Sequence, residues 1–325
     1  MDWNNGLSGA ASRMKRIALV VGAFLFVQGA FAQTLPNSKL WFPITAGIAK
    51  GQVTEQPDLK GGHLQGVQLR EGKLYVSGSS DRVAYLTIFA MQEAELKFIG
   101  TKKLGEKPMN HAGGFQLADN WLAIGIEDPT SRRESQVQLI DVSTSKSFSA
   151  PPAFVLHRKG QQGRSTAGAV ALLRRKDHFL LAVGSWNSTV IDFYTSNGLD
   201  PYAADFNFKL WTSWDSREAL RKTWTDRDYG SYQSIQLTSD SGVVYLSGFC
   251  LDGKINRVDV FQLHTKADPY TLIQKIGSTE FPCQEGLSFR YGAGYNFEAK
   301  KPRVLVVNHD LWPETVVQLF GLTAD

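Results

Sequence analysis

One heptad constrains the fold of this chain more than any other feature. His63-Leu64-Gln65-Gly66-Val67-Gln68-Leu69 returns in altered form four more times. The later versions read HAGGFQL at 111–117, STAGAVA at 165–171, SYQSIQL at 231–237 and CQEGLSF at 283–289. A short turn and a strongly apolar run follow each copy: LYVSGSS (74–80), WLAIGIE (121–127), FLLAVGS (179–185), VVYLSGF (243–249) and VLVVNHD (304–310). A second run comes next, at 84–90, 137–142, 189–195, 258–264 and 315–321. Most units close with a further apolar segment, at 96–104, 153–157, 206–212 and 271–277. The anchor positions Gly66, Gly114, Gly168, Ser234 and Gly286 lie 48, 54, 66 and 52 residues apart. β-Branched and aromatic residues fill the runs and glycines punctuate them, as strands and turns require.

Four short strands per unit, repeated at this period, predict an all-β chain folded as a β-propeller. The fifth unit has only three strand-like runs before the chain stops at Asp325. An isolated strand-like run at 40–48 precedes the first unit and would supply the missing outer strand. That closure leaves no free sheet edge at the seam. The count is then five blades in a single domain spanning 33–325. The long third-to-fourth interval carries Asp215 to Trp224, which has a capping residue, good helix formers and no breaker. It predicts one short helical insert. Its aromatics Trp211, Trp214 and Trp224 would either pack the insert onto the blades or form a lid beside the axis.

The N-terminus predicts export. Met14-Lys15-Arg16 is a basic start, Ile17 to Val27 is apolar throughout, and Ala30-Phe31-Ala32 is an A-x-A cleavage site. Residues 1–32 thus read as a signal peptide, with 1–13 as an upstream extension and Met14 as the alternative start. The apolar run is too short for a membrane anchor of about 20 residues. The formal charge of +4 falls to +2 when the leader's three basic and one acidic residues are removed. So weak an excess, without a basic stripe, gives no reason to expect nucleic acid. A periplasmic or secreted monomer is the expectation.

Repeat and leader together resemble secreted bacterial β-propeller proteins of the five-bladed type. The resemblance implies that the first strand of each unit lines the axis. It also implies that the loop before that strand and the loop between the second and third strands share one face. The residues placed there include His63, His111, Ser165, Ser231 and Cys283, and two positions on Gln65, Gly113, Ala167, Gln233 and Glu285. The other loops add Asp81, Glu127, Asp128, Trp186, Asn187, Asp252, His309 and Asp310. The ligand-binding candidates are His63, Gln65, His111, Ser231, Gln233, Glu285, Trp186 and His309. His63 and His111 have two readings: fixing the ring by bonding neighbouring backbone, or contacting a ligand or metal.

No G-x-S-x-G, phosphate loop, dinucleotide fingerprint or H-E-x-x-H spacing occurs, and Gly292-Ala293-Gly294 reads as part of a connection. Two functions follow, beside a third, a calcium-dependent nucleotide hydrolase of propeller form, to which no specific residue points. One is a non-catalytic propeller that binds a small molecule, a carbohydrate or a protein on its top face. The other is a hydrolase, because five-bladed propellers include glycosidases with carboxyls from different blades around an axial pocket. Glu285, Glu127, Asp128 and Asp310 would then be the acid and base candidates. No cofactor is required, although the resemblance leaves room for a calcium ion on the axis. Cys250 and Cys283, the two cysteines of an exported chain, are expected to form a disulfide between units four and five.

Overall fold

The computed structural model describes residues 41–53, 57–222, 229–264, 272–296 and 303–324. The leader and Trp224 lie outside them. The described chain is mostly strand. β1 (Trp41–Gln52) comes first. Next are β2 (Gly62–Arg70), β3 (Lys73–Ser80), β4 (Val83–Gln92) and β5 (Glu95–Glu106). β6 (His111–Ala118), β7 (Trp121–Glu127) and β8 (Glu134–Asp141) lead through α1 (Ser145–Ser149) to β9 (Phe154–Lys159). β10 (Ala169–Arg174), β11 (Phe179–Gly184), β12 (Val190–Ser196) and β13 (Phe208–Asp215) precede α2 (Ser216–Lys222). Then come β14 (Ser234–Asp240), β15 (Val243–Asp252), β16 (Ile255–Leu263) and β17 (Ile273–Phe281). β18 (Ala293–Asn296), β19 (Arg303–Val307) and β20 (Glu314–Ala324) close the chain. Among the described residues no helix is long and apolar enough to cross a membrane.

Local chemistry explains the antiparallel meanders. Glu71-Gly72 and Ser241-Gly242 each join two strands through two residues with positive φ. Such turns match the right-handed twist of the flanking strands. Each meander pairs in sequence order, and β1 pairs antiparallel with β20 from Trp41↔Ala324 to Gln52↔Glu314. The expected N-terminal strand therefore does complete the last meander. The first strands β2, β6, β10, β14 and β18 each pack against the next, and β18 returns to β2. This ring of radiating meanders is a β-propeller. The hydrogen-bond ladders nevertheless sort into two eight-stranded sheets and one of four. The joins are single parallel pairs, Lys50↔Glu95 and Ala169↔Gly114.

Strands meet closely at the axis. A Cβ on Gly114 would lie 2.6 Å from the Gln233 carbonyl oxygen and 2.9 Å from the Ser234 Cα. No side chain fits there. Buried glutamines two residues beyond these small positions tie the ring. Gln68 Oε1 accepts from Leu117 N at 2.6 Å, and Gln236 Oε1 from Tyr295 N at 2.8 Å. Gln116 accepts from Leu172 N and Leu237 N and donates to the Leu237 carbonyl. Apolar side chains fill the spaces between meanders, as around Phe249, Phe281, Phe289 and Tyr295.

Three expectations change. The first strand of the last meander is β18, not 283–289. In the structure Gly286 has φ +82° and sits in a turn, while Leu287 and Phe289 plug the core beneath Phe281. The alternating apolar pattern there reflects anchoring of a connection. Gly292-Ala293-Gly294, read as a connection, leads into and begins β18. Second, Cys250 and Cys283 are free thiols. Successive strand residues face opposite sides of a sheet. Phe249 points toward Cys283 and the fifth meander, so Cys250 points away, into the core shared with the third. Adjacency around the ring was legible; the facing side was not. Third, the helical insert exists as α2, but Trp214 is fully buried in the core and Trp211 packs on Phe193. Neither lines the axial cavity, so no lid is formed by them.

Candidate functional site

A cavity of about 660 Å³ opens where the first strands begin. Its wall contains His63, Gln65, His111, Glu127, Pro129, Arg132, Gly168, Trp186, Asn187, Tyr232, Gln233, Arg290, Tyr291 and His309. All five meanders and their loops contribute. Seven of the residues singled out in the sequence as ligand or acid–base candidates converge here: His63, Gln65, His111, Gln233, Trp186, His309 and Glu127. Asn187 joins them.

Bulges aim the polar groups. Leu64 pairs with Gly78 and Gly66 with Ser77, which leaves Gln65 as an extra residue on β2. β6 bulges at the corresponding point, between Ala112 and Phe115. A bulge re-aims side chains that a regular ladder would send along the sheet. Gln65 is only 5% exposed, and its amide nitrogen reaches His63 Nε2 and, at 3.4 Å, His111 Nε2. Its Oε1 is buried without a hydrogen-bond partner. A buried acceptor of this kind calls for a donor.

The histidines form a cluster. The His63 ring lies 5.4 Å from that of His111 and stacks on His309 at 5.9 Å. Tyr291 meets His309 edge-on at 4.7 Å. Burial, then repulsion from His111, His309 and Arg290, pushes the His63 pKa down to about 4, against a smaller opposing pull from Asp310. His63 is thus a neutral imidazole at pH 7. Glu127 is fully buried at the end of β7. Its Oε2 accepts from Ala167 N at 2.8 Å and its Oε1 lies 3.1 Å from His111 Nδ1. A carboxylate at Nδ1 orients the ring and leaves Nε2 facing the cavity.

The loop after β7 is rigidly built. Asp128 accepts from Thr130 N at 2.8 Å and from the Ser131 hydroxyl at 2.6 Å. Burial opposes its ionisation, but those hydrogen bonds outweigh it and hold its pKa below the usual carboxylate range. Arg132, at φ +54°, lays its guanidinium 3.7 Å over the Trp186 ring. Asn187 and Ser188 also adopt positive φ, +57° and +53°. Non-glycine residues in this region cost on the order of 1 kcal/mol each and cluster at functional sites.

Four residues predicted for the site stand outside the lining. Asp128 is occupied in its own turn. Asp310 bonds His309 Nδ1 at 2.6 Å from the exposed side. Ser231 is exposed, and the next residue, Tyr232, takes its place. Glu285 is exposed because the 283–289 register placed it on the wrong segment. Asp81 and Asp252 also lie away, the latter bonded to Arg257 at 2.9 Å. Pro129, Arg132, Tyr232, Arg290 and Tyr291 escaped the sequence reading, and Gly168 entered it only as a repeat anchor. The small-residue signal Gly292-Ala293-Gly294, compared with Gly113-Gly114 and Ala167-Gly168, would have led to Arg290 and Tyr291.

An axial calcium ion does not fit these residues. Calcium takes six to eight oxygen ligands. The wall offers mainly imidazole, amide and guanidinium groups, and both oxygens of its carboxylate Glu127 face Ala167 N or His111. Among the described residues no group of three His, Cys, Asp or Glu side chains is arranged to hold a metal ion.

No family model matches the sequence, and no curated protein matches it. Solved structures with a similar course of chain include the catalytic domain of the Coprinopsis cinerea GH62 α-L-arabinofuranosidase. It is 9% identical with a TM-score of 0.48, covering 90% of this chain and 100% of that one. The RS223 β-xylosidase is 9% identical with a TM-score of 0.45, covering 87% and 98%. CoXyl43, a GH43 β-xylosidase/α-arabinofuranosidase from a compost microbial metagenome, in complex with xylotriose and calcium-free, is 11% identical. Its TM-score is 0.45, with 87% and 94% covered. Those activities are those proteins' own; the chemistry here is set by the residues of this cavity.

Proposed function

We propose that this chain is a five-bladed β-propeller that binds a glycan or similar polar small molecule in its axial cavity. The five blades are the five four-stranded meanders, the last completed by β1. One observation carries the functional reading. Side chains from all five meanders converge on one cavity of about 660 Å³, within the usual range of small-molecule sites of about 300–1,000 Å³. Its wall alternates hydrogen-bonding groups (Gln65, Asn187, Gln233 and three imidazoles) with the aromatic faces of Trp186 and Tyr291. That mixture suits a ligand with hydroxyl groups and an apolar face.

A thermal-shift titration with oligosaccharides tests this. At a hundredfold excess over Kd a ligand stabilises by about 2.7 kcal/mol, roughly 5 °C for a chain of this size. The shift is expected to vanish in Gln65→Ala. A glycan panel that shifts neither protein would sink the binding reading.

Hydrolysis is the second reading, favoured by the buried Glu127 carboxylate at the cavity wall. Glycosidases use two carboxyl groups about 5–9.5 Å apart. Glu127 is the one carboxylate in the lining, so the partner would come from a rim acid such as Asp310. Release of reducing ends from oligosaccharides, abolished by Glu127→Gln, would establish it. We further propose export, with residues 1–32 removed. Intact mass of protein recovered from the periplasm should then begin at Gln33.

A further inference from the structure

The cavity wall exposes more positive than negative charge. Arg132 and Arg290 both line it, and neither has a carboxylate partner among the described residues. Glu127, the lining carboxylate, is fully buried and engaged with Ala167 N and His111. Asp310 stands behind His309. The wall therefore presents two guanidinium groups to its interior and buries its acid. Arg290 stands at the exposed rim, close enough for its charge to help lower the affinity of His63 for a proton.

Arg132 is held ready. Its backbone sits at φ +54° with its N–H donated to the Asp128 carbonyl at 3.0 Å, and its guanidinium is stacked on Trp186. Of the seven non-glycine residues with positive φ among the described residues, Glu71, Glu93, Asp119 and Ser241 occupy two-residue hairpin tips. The other three are Arg132, Asn187 and Ser188. Among the described residues, positive φ beyond the two-residue tips thus falls on two lining residues, Arg132 and Asn187, and on the neighbouring Ser188, where it fixes the cation and the amide beside it. The Arg132 Nε donates to the Pro129 carbonyl at 3.3 Å, and a planar guanidinium fixed in this way can still offer its two terminal nitrogens in a two-pronged bond to a carboxylate or sulfate.

We propose that the ligand of this cavity carries an anionic group recognised by Arg132 and Arg290, and that it is an acidic oligosaccharide. The proposal rests on the glycan reading above and narrows it. A charged wall of one sign also raises the local concentration of such a ligand.

Calorimetric titration with trigalacturonate, xylotriose and citrate separates the two claims. Trigalacturonate is expected to bind at least tenfold more tightly than xylotriose. Arg132→Gln and Arg290→Gln should each weaken it roughly 10- to 100-fold, the range of a charge-assisted hydrogen bond. Arg290 is exposed, so its variant keeps the test intact should Arg132→Gln fold poorly. Xylotriose binding as well as trigalacturonate would overturn the anionic ligand and leave the glycan reading standing. Citrate binding as tightly as trigalacturonate, with xylotriose unbound, would uphold the anion site and overturn the glycan. Binding of none of the three overturns both.

Discussion

Gln116 holds three strands of the axial ring with one side chain, and its replacement by leucine should be among the costliest single changes in the protein. The side chain is fully buried on β6. Its Oε1 accepts from Leu172 N at 3.1 Å on β10 and from Leu237 N at 2.8 Å on β14, and its Nε2 donates to the Leu237 carbonyl at 2.7 Å. Leucine nearly matches glutamine in volume, so neither a cavity nor a clash dominates. What changes is that three backbone groups lose their partner where water has no access. Each such group costs about 1–3 kcal/mol, so the sum, reduced by the apolar gain of leucine, is about 3–6 kcal/mol. Against a total stability of about 5–15 kcal/mol, that is a large share. Gln68→Leu provides the internal standard. It removes the one side-chain acceptor that Gln68 gives to Leu117 N and should cost about 1–3 kcal/mol. Urea denaturation of the two variants measures both, provided the slope with denaturant stays that of the wild type. If Gln116→Leu costs no more than Gln68→Leu, the bonds at the axis do not carry the ring, and the reasoning fails.

Gly114→Ala should destabilise by about 1–3 kcal/mol, because the new Cβ meets the backbone of Gln233 and Ser234; a melting temperature equal to wild type would contradict that packing. His63 makes stability pH-dependent in one direction. Its pKa falls from 6.5 unfolded to about 4 folded, so between those values the unfolded chain binds more protons and stability drops as pH falls. His63→Asn should remove that part of the slope, and an unchanged pH profile would place the charge elsewhere. The cysteines should resist a thiol reagent in the native protein, since burial pushes both thiols up to about 12, and should give two equivalents on denaturation without reductant. Finding none would restore the disulfide.

Much of this molecule was legible in its sequence because strands announce themselves locally. The second and third strands of every unit carry strongly apolar runs, and β3, β7, β11 and β15 fall where the second-strand runs lie. The closing partnership of β1 with β20 followed from counting: a fifth unit with three strands needs a fourth. Convergence of His63, Gln65, His111, Trp186, Gln233 and His309 on one cavity followed from their equivalent places in the repeat.

The fifth unit shows where such reading stops. CQEGLSF and YGAGYN both present glycine and alternating side chains, and pattern cannot distinguish a strand on the axis from a connection anchored in the core. Only the close approach of Gly292 and Gly294 to Gly66 and Val67 selects the second, and that is a contact between residues more than 220 positions apart. Arg132 and Trp186 belong to two loops and meet only because their blades are neighbours. Cys250 was assigned to the right blade and the wrong face. Periodicity along a strand says that neighbours alternate, whereas which face meets which blade is decided by the packing of the ring. Sequence alone thus determined the kind of strands and their number per unit. The tertiary structure decided which side chains share the axial cavity, because that depends on bulges and close approaches between segments that never adjoin in the chain.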